Sequence, residues 1–126
     1  MVYNIPMVKE YISNDGALVI EVDASEEAVT LKWIGRSADL QPAKFILPIF
    51  EEHILNNEKS IVLDFVHLEY FNSPTLAPII QVLNLAKEGS KKIKIIYNSE
   101  YEWQLKTFSA FKVFEKPDQI FISGND

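Results

Sequence analysis

The chain has 126 residues, a formal net charge of −6 and no cysteine. That length suits one domain, a 48% hydrophobic share supports a packed core rather than a disordered chain, and the absence of cysteine excludes a disulfide framework and thiolate chemistry. The acidic balance argues against nucleic acid as a partner, because phosphates demand basic patches.

Residues 1–9 lack the basic start and long apolar run of a signal peptide, and no stretch approaches the ~20 apolar residues of a spanning helix. The expected setting is therefore the cytoplasm, with no membrane contact. Residues 1–16 are mixed, with Asn14-Asp15-Gly16 reading as a turn. A strand is expected over 17–23 and a polar connector over 24–27. A second strand follows over 29–34, where apolar residues fall at 29, 31 and 33, the period of one buried face. These two strands predict an antiparallel hairpin, with 35–37 leading away.

A helix is expected near 41–56, started by Pro42, with Phe45, Ile46, Ile49 and Phe50 on its apolar stripe. The next stripe position holds His53, and Ile54 and Leu55 continue the stripe instead. Pro48 predicts a kink or a late helix start. Residues 60–66 read as a central strand, apolar except for Asp64. A buried carboxylate must find partners, so Asp64 is read as structural, accepting backbone N–H groups near the next loop.

Asn72 and Ser73 are both able to N-cap the following helix, predicted over 75–87, and Pro74 suits the first helical position. From this local pattern alone, Ser73 reads as a cap. It also places a hydroxyl at the positive end of a helix dipole, where an added phosphate is tolerated. The predicted buried face carries Leu76, Ile79, Ile80, Leu83 and Ala86, and Gly89 ends the helix. Pro78 forfeits a helix bond if Ser73 is the cap and sits safely in the first turn if Thr75 is.

Residues 92–97 form a further strand. Ser99 and Glu102 have capping-box spacing and open a third helix running to about Val113, with Trp103, Leu105, Lys106, Phe108 and Phe111 partly buried. A short strand over 119–122 and a tail over 123–126 finish the chain. Strand–helix alternation after a hairpin implies an α/β sandwich with a mixed sheet, covered mainly on one face by helices. In such sheets ligands gather at the carboxyl ends of parallel strands, so Asn72, Ser73, Pro74, Thr75, Asn98, Ser99 and Trp103 are expected to line one rim. The pattern also fits a plain pair of helix caps.

The segment from Asp64 to Leu76 resembles the core motif of STAS domains, the fold of anti-sigma-factor antagonists. Asn72 stands where that family has Asp, Ser73 where it has the phosphorylated Ser, and Leu76 where it has Leu. Pro74 and Thr75 replace a small residue and a Gly. The Asn-Ser variant after Tyr70-Phe71 is similar to a divergent branch that includes bacterial biofilm-regulating phosphoproteins. The resemblance covers about 17–122 in element order and implies a STAS-like sandwich within one domain, 1–126. It further implies a non-enzymatic regulatory module in bacterial partner switching, controlled by phosphorylation at Ser73 or, in reserve, Thr75. Its partners would be an anti-sigma-like kinase or signalling enzyme and a phosphatase.

The alternative is a small-ligand sensor holding a nucleotide or other anion at the helix N-termini. No metal, cofactor or catalytic constellation is expected. His53 and His67 lack partners at metal-ligand spacing and read as surface or boundary residues, and the serine lacks the flanking glycines of a hydrolase elbow. Trp33 is read as core and Trp103 as a partly exposed contact residue. The sequence does not decide between monomer and dimer.

Overall fold

The computed structural model describes residues 7–125. Six strands form one sheet in sequential order: β1 (Met7–Ile12), β2 (Leu18–Ala24), β3 (Ala28–Ser37), β4 (Ser60–Phe71), β5 (Ile93–Tyr97) and β6 (Ile120–Gly124). The first three strands are antiparallel and the last four run parallel. Helices α1 (Ala43–Phe50), α2 (Ser73–Glu88) and α3 (Glu102–Ala110) connect the parallel strands. Parallel crossovers are right-handed as a rule, so adding each strand on the same side places every helix on one face. Burial agrees. Leu18, Ile20, Val22, Val29, Leu31, Trp33, Ile61, Leu63, Phe65, Ile93 and Ile95 are buried, while their alternating neighbours remain partly exposed. Among the described residues no helix is long and apolar enough to cross a membrane.

The β2–β3 hairpin forms as expected, but a strand precedes it. β1 was not expected because its helix-side positions, Lys9 and Tyr11, are polar. They reach Glu52 and His53 rather than a greasy layer. β3 runs through Gly35 to Ser37 instead of leading away. Gly35 has φ 97°, and a Cβ there would lie 2.2 Å from the Ala17 carbonyl oxygen, so only glycine fits.

α1 passes through Pro48 and then widens into a π turn (Glu51–Leu55). The wider turn moves the inward position from 53 to 54. Ile54 is therefore buried, His53 is freed toward Tyr11, and Leu55, expected on the stripe, is exposed. In α2 the buried face is Thr75, Pro78, Ile79, Val82, Leu83 and Ala86, rotated from the expected one so that Leu76 and Ile80 are only partly buried.

β4 continues five residues beyond its expected end at Val66. Two register shifts against β3, at Lys32/Ile34 and Gly35/Arg36, each let β4 carry an extra residue. Such bulges reset the alternation of a strand, and here the inward set reads Ile61, Leu63, Phe65, then Leu68. Around these residues an aromatic core forms. Trp33 lies 5.0 Å from Phe65 and 6.1 Å from Phe50 between ring centroids, and Phe65 stacks on Phe108 at 4.9 Å.

Candidate functional site

The α2 N-terminus is built by Asn72, not by Ser73. Asn72 is the cap, Ser73 the first helical residue and Pro74 the second. The Asn72 Oδ1 accepts the Thr75 backbone N–H at 3.3 Å and the Thr75 hydroxyl at 2.7 Å. Because the single Thr75 proton goes to Asn72, the Ser37 hydroxyl donates to Thr75 Oγ1 at 2.7 Å. The Asn72 amide Nδ2 donates to the Asp39 carbonyl at 2.7 Å, and the Asn72 backbone N–H donates to the Ser37 carbonyl at 2.9 Å. One side chain thus joins the end of β3, the β3–α1 loop and the start of α2. An aspartate at 72 would keep the acceptor for Thr75 and lose the donor for Asp39.

This corrects the reading of Ser73 as a cap. Ser73 is exposed, and its hydroxyl makes no hydrogen bond among the described residues. Thr75 is the opposite: fully buried, with its hydroxyl bonded on both sides. Since Asn72 caps, Pro78 lies inside the helix and forfeits one backbone bond.

The second turn follows β5. Asp64 pairs with Ile96, which sets Asn98 level with Val66 and leaves the rest of β4 overhanging. The two turns lie at the same end of the sheet, staggered by six strand residues, roughly 20 Å along an extended strand. The overhang has no strand partner on the β5 side, and side-chain amides replace one. Asn98 Nδ2 donates to the Val66 carbonyl at 3.1 Å. Gln104, fully buried, donates to the Phe65 and Leu68 carbonyls at 2.7 Å each and accepts the Asn98 backbone N–H at 2.6 Å. Asp64 serves the same segment, its Oδ1 accepting the Val66 N–H at 3.0 Å beside the first bulge. Trp103, half-buried, packs on Phe71 at 5.1 Å and so bridges the two turns.

The Ser99–Glu102 capping box does not form. α3 begins at Glu102 with Tyr101 as cap and no side-chain cap bond. Asn98 Oδ1 takes the Glu100 N–H instead, and Asn125 Oδ1 takes the Ser99 N–H. The expected tail is thus tied into the rim. Leu105 and Lys106, expected to be partly buried, are exposed, and Gln104 occupies the buried position.

Sequence reasoning missed Gln104 and the Asn72–Asp39 bond. Both depend on long-range placement, 36 and 39 residues for Gln104 and 33 for Asn72.

The rim is apolar at its tips. Leu40 is 90% exposed at the apex of the β3–α1 loop, and Tyr70 and Tyr101 are exposed beside the two turns. Arg36 lies over the Tyr70 ring at 4.7 Å. Beside the β3–α1 loop lies an open depression of about 510 Å³ lined by Asn14, Asp39, Leu40, Gln41, Lys44 and Phe45. Among the described residues no three His, Cys, Asp or Glu side chains form a group able to hold a metal ion.

A second polar cluster lies away from the rim. Tyr11 Oη donates to Glu52 at 2.9 Å and lies 2.6 Å from His53 Nε2, and Lys9 Nζ lies 3.4 Å from Glu52. Burial pushes the His53 imidazole below its usual value, with the Glu52 carboxylate pulling the other way. His53 is therefore a bonded boundary residue.

No family model matches the chain, and no curated protein matches it. Among solved structures it is similar to the crystal structure of an uncharacterised protein of the DUF3478 family, with a SpoIIAA-like fold, from Shewanella loihica PV-4. The TM-score is 0.53 at 15% identity, over 97% of this chain and 89% of that one. At that identity the likeness shows the fold: a mixed-sheet α/β domain of the SpoIIAA-like, STAS-like kind.

Proposed function

We propose that this protein is a non-enzymatic regulatory module that binds a protein partner through the rim around Ser73, and that phosphorylation of Ser73 switches this binding. The carrying observation is that the Ser73 hydroxyl is exposed at a helix N-terminus while Asn72 performs the capping. The fold therefore does not need that hydroxyl, and a charge placed on it meets the favourable end of the α2 dipole. The SpoIIAA-like fold suits a regulatory role, although fold alone never assigns one. Exposed Leu40, Tyr70 and Tyr101 give the rim apolar side chains suited to a protein contact. The partners on this reading are a kinase or signalling enzyme and a phosphatase. Thr75, the reserve site, needs the rim to open before a kinase reaches it.

The alternative reading, a small anion held by helix N-termini, has weaker support. Pro74 has no N–H, and the Thr75 N–H is already taken by Asn72.

The test is phosphosite mapping on protein isolated from its own cell, followed by titration of the captured and purified partner. Ser73→Ala is expected to bind constitutively. Phosphate at Ser73 buried without matched donors costs about 2–5 kcal/mol of binding, tens to thousands of fold. Absence of phosphate at Ser73 and Thr75, with equal affinity for Ser73→Ala and Ser73→Asp, would overturn the proposal.

A further inference from the structure

We infer that Asn72 is the reader of charge at Ser73: it releases the β3–α1 loop, which carries Leu40, when Ser73 is phosphorylated. The inference rests on the reading of Ser73 as the modified residue and adds how that modification reaches the contact surface.

The argument is one of donor supply. A phosphate on the first helical residue ordinarily finds the free N–H groups of the first turn. Here that turn is depleted. Pro74 has no N–H, and the Thr75 N–H is bonded to Asn72 Oδ1. The Ser73 N–H alone cannot satisfy three phosphate oxygens. The adjacent side-chain donor is the Asn72 amide, one residue away, now given to the neutral carbonyl of Asp39 at 2.7 Å. A hydrogen bond to an ionised acceptor is roughly twice as strong as one to a neutral acceptor, so the phosphate competes successfully for that N–H. The Asp39 carboxylate, whose Oδ1 holds the Gln41 N–H at 2.8 Å, adds like-charge repulsion between the phosphate and the loop.

What the loop loses is specific. Residues 38–41 are all exposed, so little packing holds them. The Asn72–Asp39 bond ties the middle of this loop to α2, while the Ser37–Thr75 and Ser37–Asn72 bonds secure only its start. Leu40, 90% exposed, follows directly after the tied carbonyl. Freeing Asp39 turns a fixed apolar tip into a mobile one, and a partner must then pay the entropy of ordering it. This also gives the asparagine at 72 a purpose that an aspartate lacks: only the amide has a proton to move.

The experiment is NMR on the whole chain, unmodified and with phosphoserine installed at position 73 during synthesis. Phosphorylation is expected to shift the Asn72 side-chain amide and the Asp39 carbonyl carbon. It should also lower backbone order parameters over 38–41 from about 0.85 toward about 0.6 or below. Asn72→Asp should loosen the same loop without any phosphate, and Ser73→Ala should leave it as in the unmodified protein. The phosphorylated protein keeps Asn72, so its result stands even if Asn72→Asp folds poorly.

A phosphorylated protein with unmoved Asn72 and Asp39 signals overturns the inference, as does a phosphate captured by Arg36 leaving the Tyr70 ring. A folded Asn72→Asp variant with an unchanged loop overturns it as well. Each of these results leaves the switch itself standing or falling separately, on partner affinity and cellular phosphosite mapping.

Discussion

The backbone N–H of Asn98 donates to the buried Oε1 of Gln104 at 2.6 Å, binding the end of β5 to α3. The other end of that side chain holds the overhanging part of β4 through the Phe65 and Leu68 carbonyls. This amide, together with that of Asn98 on the Val66 carbonyl, thus replaces the strand that β5 is too short to supply. Gln104→Leu keeps the approximate volume and leaves three backbone groups unpaired. It is expected to destabilise the domain by about 2–4 kcal/mol, at the rate of about 1–3 kcal/mol per buried unpaired group with partial rescue by water. Denaturant unfolding measures this; a loss under about 0.5 kcal/mol would mean that the overhang holds itself.

Asp64 is expected to act through one bond, from the Val66 N–H at the first bulge of β4. Asp64→Ala should cost about 1–3 kcal/mol, and Asp64→Asn, which retains an acceptor oxygen, should cost less. Full stability of Asp64→Ala combined with lost partner binding would assign Asp64 to function instead.

Ser73 substitutions should leave the fold intact, because no hydrogen bond of the described residues uses its hydroxyl. Ser73→Asp places a charge at the α2 N-terminus and should stabilise by about 0.3–1 kcal/mol at low salt. Thermal melting checks this; marked unfolding of Ser73→Asp would show that the rim does not tolerate a negative charge.

His53 makes stability pH-dependent. Its folded-state pKa is lowered, chiefly by burial, with Lys9 adding to the effect and Glu52 opposing it. Below the usual value near 6.5 the unfolded chain binds a proton that the folded one resists. The contribution is therefore present above that pH and is lost as the pH falls through it toward the lower folded value. Glu52, held low first by the Tyr11 hydroxyl bond, acts in the same sense at more acidic pH, below the unfolded value near 4.5. Proton NMR titration should place the His53 midpoint below 6.5, and Tyr11→Phe should change it. A midpoint above 6.5 would contradict the buried setting.

Much of the architecture was legible locally. The alternation in β2 and β3, the apolar run of β4 up to Val66, the Asn14–Gly16 turn and the three helical segments each follow from residues within one turn or one strand of each other. The failures share a physical cause. β1 is an edge strand whose helix-side residues are satisfied by Glu52 and His53, more than 40 residues away, so it has no apolar period to read. β4 outruns its apolar run because two bulges break its parity. The Ser99–Glu102 spacing suggested a cap that Asn98 and Asn125 forestall by claiming the Ser99 and Glu100 N–H groups.

At the rim, the local pattern suffices to put a hydroxyl at a helix N-terminus after a buried strand. That follows from the pattern of apolar run, Asn-Ser and proline. Which residue caps and which stays free depends on partners far away in the chain. Asn72 wins because its two-sided amide can serve Thr75 and the Asp39 carbonyl at once, and Asp39 arrives there only through the pairing of β3 with β4. The same pairing sets Ser37 against Thr75 and buries the threonine. Ser73, with neither contact, is left exposed to solvent.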